Sequence, residues 1–144
     1  LYRKALDRYS RVPVTHLLGR LEGGGAQAVR NFFERLIAYQ SRPQPPACFM
    51  VAAAIELAPR DHGVRLRVNE HFRRLEAAFF AAFADGKSDG ALSGLSLTDP
   101  RAAARLLTSA TLGLLVSARG GMPPGTLSQM ANAALLGAGV RILD

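Results

Sequence analysis

One stripe of side chains constrains this chain more than any other feature. Val64, Val68, Phe72, Leu75, Phe79 and Phe83 follow one another at intervals of four, four, three, four and four residues. That spacing gathers all six on one face of an α-helix and would scatter them over both faces of a strand. A long helix over 61–86 is therefore expected. Asp61 suits its N-cap, Glu70 and Arg74 suit an i, i+4 ion pair on its outer side, and Gly86 and Gly90 suit its end. So long an apolar stripe has to be covered by other helices.

The rest of the chain supplies them. Residues 1–11 place Leu1, Ala5, Leu6 and Tyr9 on one side and Arg3, Lys4, Arg8 and Arg11 on the other. Pro13 is expected to interrupt this helix, with a further turn or two over 14–21 and a flexible break at Gly23-Gly24-Gly25. Residues 26–40 form an amphipathic helix through Val29, Phe32, Phe33, Leu36 and Ile37, ended by Pro43, Pro45 and Pro46. The Ala-rich run over 47–58 is a buried helix stopped by Pro59, and 91–98 form a loop. Asp99-Pro100 starts a helix to about Arg119, and Gly120-Gly121 stops it. A last helix follows Pro123-Pro124, with Thr126 and Gln129 at capping-box spacing and Leu127, Met130, Ala131, Ala134 and Leu135 on its apolar face. No alternating strand pattern and no internal repeat is visible. The expected class is all-α, a bundle of six to seven helices.

Composition and motifs then exclude function classes. The chain's 144 residues fit one domain. Its one cysteine, Cys48, cannot form an internal disulfide; it sits in an apolar run as a small hydrophobe and fits a reducing, cytoplasmic setting. Leu106 to Ala118 is the most membrane-like stretch, far short of the roughly 20 apolar residues a span needs. No signal peptide is visible, and the absence of an initiating Met reads as a fragment of something longer. Gly86-Lys87-Ser88-Asp89-Gly90 matches the G-x-S-x-G nucleophile motif but follows a helix where that motif needs a strand, so it reads as a polar turn. The triple glycine has no Walker lysine and no preceding strand. His16, His62 and His71 belong to neither H-E-x-x-H nor Glu-x-x-His pairs; His71 adjoins the long stripe as a core or boundary residue. Glu56 is expected on an exposed helix edge or beside Arg60. No metal, cofactor or catalytic residue is expected, and the chain does not read as an enzyme.

Two features point to partners. The net charge is +7, and residues 1–42 carry +5 of it, since eight Arg and Lys face Asp7, Glu22 and Glu34. That excess suits phosphates or a solvated arginine face equally. The 99–119 helix is apolar nearly all round, with Leu106, Leu107, Leu112, Leu114, Leu115 and Val116, and must be covered on every side. Either the other helices cover it, or the last two helices meet a second copy in a four-helix dimer. The candidate interface is Ala103, Ala110, Thr111, Leu115, Ala118, Leu127, Met130 and Ala134.

The chain also resembles TetR-family transcriptional regulators. Leu1-Tyr2-x-x-Ala5-Leu6-x-x-Tyr9 is similar to their linker helix, and Ala26-x-x-Val29-x-x-Phe32-Phe33 to their first core helix. Cys48-Phe49-Met50-Val51-x-Ala53-Ala54-x-Glu56-Leu57-Ala58-Pro59-x-Asp61 is the most specific stretch, although Ala52 stands where one large subgroup often has Asn. Phe72-x-x-Leu75-Glu76-x-x-Phe79 and Asp99-Pro100-Arg101-Ala102-x-Ala104-Arg105 follow in order. The resemblance implies a linker helix over 1–12, after a DNA-binding helix-turn-helix domain not contained in these residues, and a ligand-binding and dimerisation domain over 13–144. It implies a homodimeric repressor of operator DNA, released by a small-molecule effector. Phe33, Ile37, Met50, Ala54, Phe72, Leu75, Phe79, Leu107 and Leu114 are the candidate pocket lining, and their character suits a largely apolar effector. A helical enzyme is the weaker alternative, for want of any catalytic constellation. A stand-alone helical carrier or adaptor differs from the repressor only in what precedes Leu1.

Overall fold

The computed structural model describes residues 1–21, 24–85 and 99–140, and all regular structure among them is helical. Helix α1 spans Tyr2–Tyr9, runs on through a π-helical turn at Ser10–Val14, and continues as α2 at Thr15–Gly19. Pro13 lies inside the π turn and does not end the helical path. Proline has no N–H to give and its ring presses on the preceding turn of an α-helix; a locally wider turn relieves both problems. Helix α3 is Gly25–Gln40, α4 is Phe49–Glu56, α5 is His62–Asp85, α6 is Pro100–Arg119 and α7 is Pro124–Gly137. The positions 86–98, with the expected glycine stop, the polar turn and the loop, lie outside the described residues.

The expected caps mostly form. Asp61 Oδ1 accepts the Val64 N–H at 3.0 Å and so starts α5. Asp99 Oδ1 accepts the Arg101 N–H at 3.2 Å at the start of α6. That helix ends with Gly121 at φ 89°, where the Met122 N–H reaches the Ser117 carbonyl and the Gly121 N–H reaches Ala118. This left-handed closure satisfies carbonyls the helix would leave open. Helix α7 repeats it at Gly139, φ 81°, with Val140 fully buried behind the turn. The Thr126–Gln129 capping box does not form: Pro123 is the N-cap, so Thr126 already lies within the first turn.

Helix α5 is the axis of the bundle. It packs against α6, α3, α4 and α1, while α7 closes against α6 and α3. The larger core cluster joins α3, α5, α6 and α7 around three rings: Phe33 stacks on Phe79 at 5.9 Å, and Phe32 meets both edge-on. The smaller cluster joins α1, α4 and the first half of α5 through Leu6, Met50, Ala53, Val64 and Val68. Ala103 and Ala104, both buried, keep α6 slim where it lies in the larger cluster. No described helix is long and apolar enough to cross a membrane.

Candidate functional site

Among the described residues, contacts of three arginines fasten α1 and the turn after it to α5 and its N-cap. Arg3 pairs with Asp61 at 2.8 Å. Arg67 grips both oxygens of Asp7, at 2.8 and 2.9 Å. Arg74 donates to the Ser10 carbonyl at 3.0 Å, the Ser10 hydroxyl at 2.6 Å and the Thr15 hydroxyl at 2.7 Å. The partners ascend together in both helices, so α1 lies parallel to α5. The Asp7 carboxyl is held below its usual range by its hydrogen bonds from Arg67. Asp61 is lowered first by the Val64 amide it caps and then by Arg3. Arg74 was expected to pair with Glu70. It reaches instead to the π turn, where the Ser10 carbonyl is open to side-chain donors, the Thr15 hydroxyl among them at 3.2 Å.

Lys4, Arg8 and Arg11 are exposed, Arg3 is exposed beside its partner Asp61, and Leu1 and Ala5, expected on the apolar side, are exposed as well. Beneath α1, Tyr9 donates to the Cys48 Sγ at 3.7 Å, and burial, with Cys48 beside it, pushes the phenol's pKa upward. Glu56 is exposed, and Arg60 donates to its backbone carbonyl, not its carboxylate.

His71 is a core residue, one of the two places expected for it. It is 8% exposed, and its Nδ1 has no hydrogen-bond partner. It stands on α5 between Val68 of the smaller cluster and Leu75 of the larger. Burial, helped by the Arg74 cation, lowers its pKa to about 4. The only sequence signal was a histidine one step off an apolar stripe.

The nine candidate pocket residues do not surround one space. Phe33, Ile37, Leu75, Phe79, Leu107 and Leu114 belong to the larger cluster, and Met50, Ala54 and Phe72 to the smaller. Phe33, Phe79 and Leu107 are 0–1% exposed and fill the interior with their own atoms. Phe33 and Ile37 also line a cleft of about 500 Å³ between α3 and α7. A smaller cleft of about 200 Å³, bordered by Leu17, Arg20, Gln27 and Arg35, lies beside α2 and α3.

The eight candidate interface residues also divide. Ala103, Thr111 and Leu127 are buried within the chain. Ala110, Leu115, Ala118 and Ala134 are partly covered by its core. Met130 faces outward. It is joined there by Leu106, Val116, Met122 and Leu136, so five of the eleven exposed large hydrophobics among the described residues lie on α6, α7 and their connecting turn. Gly113 adds an open spot on the same helix, with nothing near where a Cβ would stand.

The described residues thus form an all-helical domain with a basic helix clamped along a central one. A family model described as the C-terminal domain of tetracycline-repressor-like proteins matches residues 25–133. The chain belongs to that family, as the sequence resemblance indicated. It is also 29% identical over 122 residues to a *Bacillus subtilis* (strain 168) protein described as the uncharacterized HTH-type transcriptional regulator YezE. The match covers 83% of this chain and 62% of that relative. No solved structure gives a significant match. Among the described residues no group of three or more His, Cys, Asp or Glu could hold a metal ion.

Proposed function

We propose that this domain senses a small molecule and dimerises within a DNA-binding transcriptional repressor, and that effector binding releases operator DNA. In this reading residues 1–12 are the linker to a helix-turn-helix domain and 13–144 are the sensor, working in the cytoplasm beside the DNA. The observation that carries the reading is the clamp of α1 on α5. A linker that merely tethered two domains would need no three-point polar attachment. A linker that transmits a state does, because its position must follow the core.

The route runs through packed side chains. The α3 ring of Phe33 stacks on Phe79 of α5, and α5 carries Asp61, Arg67 and Arg74. An effector that moves α3 against α5 therefore moves the seat of α1. It lowers DNA affinity only if it binds the DNA-incompetent arrangement more tightly than the competent one. The exposed bases of α1 suit a helix lying close to phosphates, and the outer face of α6 and α7 suits an isologous pairing that sets two DNA-reading heads at fixed spacing.

The test uses the complete protein. A segment of roughly 45–60 residues with a helix-turn-helix pattern is expected before Leu1, together with retardation of a palindromic DNA fragment from beside its own gene. An unrelated segment there, or no retardation, overturns the DNA role.

A further inference from the structure

The cleft between α3 and α7 has chemistry of its own. Its apolar side is Phe33, Ile37, Ala131 and Leu135. Its volume, about 500 Å³, lies within the usual range of small-molecule sites. Three of its polar groups are already engaged: Gln27 donates to Asn31 at 2.9 Å and accepts from Arg30 at 2.7 Å, and the Ser41 hydroxyl donates to the Ile37 carbonyl at 2.7 Å. Three are not. The Glu34 carboxylate on α3 and the Ser128 hydroxyl and Asn132 amide on α7 make no side-chain hydrogen bond among the described residues. Ser128 and Asn132 stand one helical turn apart, on the same side of α7.

We propose that this cleft is the effector site of the sensor, and that it takes an amphiphile with an apolar ring or chain and a hydrogen-bond-donating amine or amide head. The apolar part lies on Ile37 and Leu135. The head donates to Glu34 and to the Asn132 carbonyl, with Ser128 completing the contact. An anionic head is disfavoured at that point, because it would lie against the Glu34 carboxylate. Occupancy wedges α3 from α7, and Phe33 at the inner edge of the cleft passes that movement to Phe79. The interior need not open, which agrees with a core already filled by its own side chains.

The proposal rests on the sensor reading, and its test is independent of DNA and of oligomeric state. The chain contains no tryptophan, so naphthalene fluorescence is read without that background. The probes are N-(1-naphthyl)ethylenediamine and 1-naphthylacetate, which share a ring and differ in the head group. Saturable binding of one amine per chain is expected, at least tenfold tighter than the acid. Glu34→Gln should weaken the amine about tenfold and bring the two probes together. Ser128→Phe, which fills the cleft from an exposed position and adds no indole, should abolish binding, while Arg35→Phe at the smaller cleft should leave it unchanged. Circular dichroism checks that each variant is folded. Failure of the amine to bind, equal binding of the acid, or amine binding unaffected by Ser128→Phe overturns the proposal. Amine binding without operator retardation in the complete protein keeps the cleft and removes the repressor reading; retardation without amine binding does the reverse.

Discussion

His71 and Arg74 lie one helical turn apart and answer to different physics. His71 is buried with an unpartnered nitrogen, and its pKa of about 4 means that the folded chain holds it neutral where the unfolded chain protonates it. Between pH 6.5 and 4 the unfolded state therefore binds more protons, so this residue's contribution falls as pH drops through that window and is constant above it. From pH 7 to 5 the loss attributable to His71 is roughly 2 kcal/mol. Urea denaturation at the two pH values should show that loss in the natural chain and its removal in His71→Leu; an unchanged pH dependence in the variant sinks the account. The variant should also be no less stable at pH 7, because an unpaired buried nitrogen is given up for an apolar group. Arg74 does the opposite and satisfies groups that the π turn leaves open. Arg74→Met keeps the stem and removes three hydrogen bonds, at roughly 1–2 kcal/mol. Amide exchange should quicken over residues 2–15 and stay unchanged in α7. Uniform quickening would mean that Arg74 holds the whole bundle and not the seat of α1.

Among the elements, α5 was legible because its stripe, its cap and its length all agree. Phe79 is the center of that stripe and of the ring cluster, so Phe79→Ala should cost about 3–5 kcal/mol by thermal or urea unfolding. A cost below 1 kcal/mol would mean that the three-ring packing does not carry the core. Helix α6 was legible at both ends. Gly121 sits at φ 89°, where a Cβ meets no neighbour, so Gly121→Ala isolates backbone strain, expected at about 1 kcal/mol. An unchanged melting temperature would show that the closure relaxes to a right-handed turn. The path from α1 to α2 was misread because Pro13 ends an α-helix in the usual case. The π turn it lies in receives donors from Arg74, sixty-one positions away, and no local pattern carries that.

For the molecule as a whole, the outer face of α6 and α7 is where a second copy is expected. Leu136 is 50% exposed and Val116 also 50%, with Met130 beside them. Light scattering at high micromolar concentration should give a dimer for the chain and a monomer for the Val116→Glu, Leu136→Glu double variant. Both positions are surface positions in the single chain, so helicity should be kept. A monomer before substitution removes the dimer reading and leaves the clamp and the cleft untouched. Three residues expected at the partner surface, Ala103, Thr111 and Leu127, are buried within the chain instead, because α6 and α7 also have to pack on α5 and α3.

By itself the sequence determined the helices, their caps and the all-α class, because periodicity and capping are local and repeat within a few residues. It also determined which family's pattern the chain follows. Only the tertiary structure decided which apolar side chains fill the interior and which line an open cleft, since Phe79 and Ile37 both read as members of a helical stripe and differ only in what packs against them. It alone brought Arg67 to Asp7 and Arg74 to Ser10, pairings sixty and sixty-four residues apart. Charged side chains on a helix surface have several partners within reach along their own helix, and the choice of a distant one is made by how the helices cross.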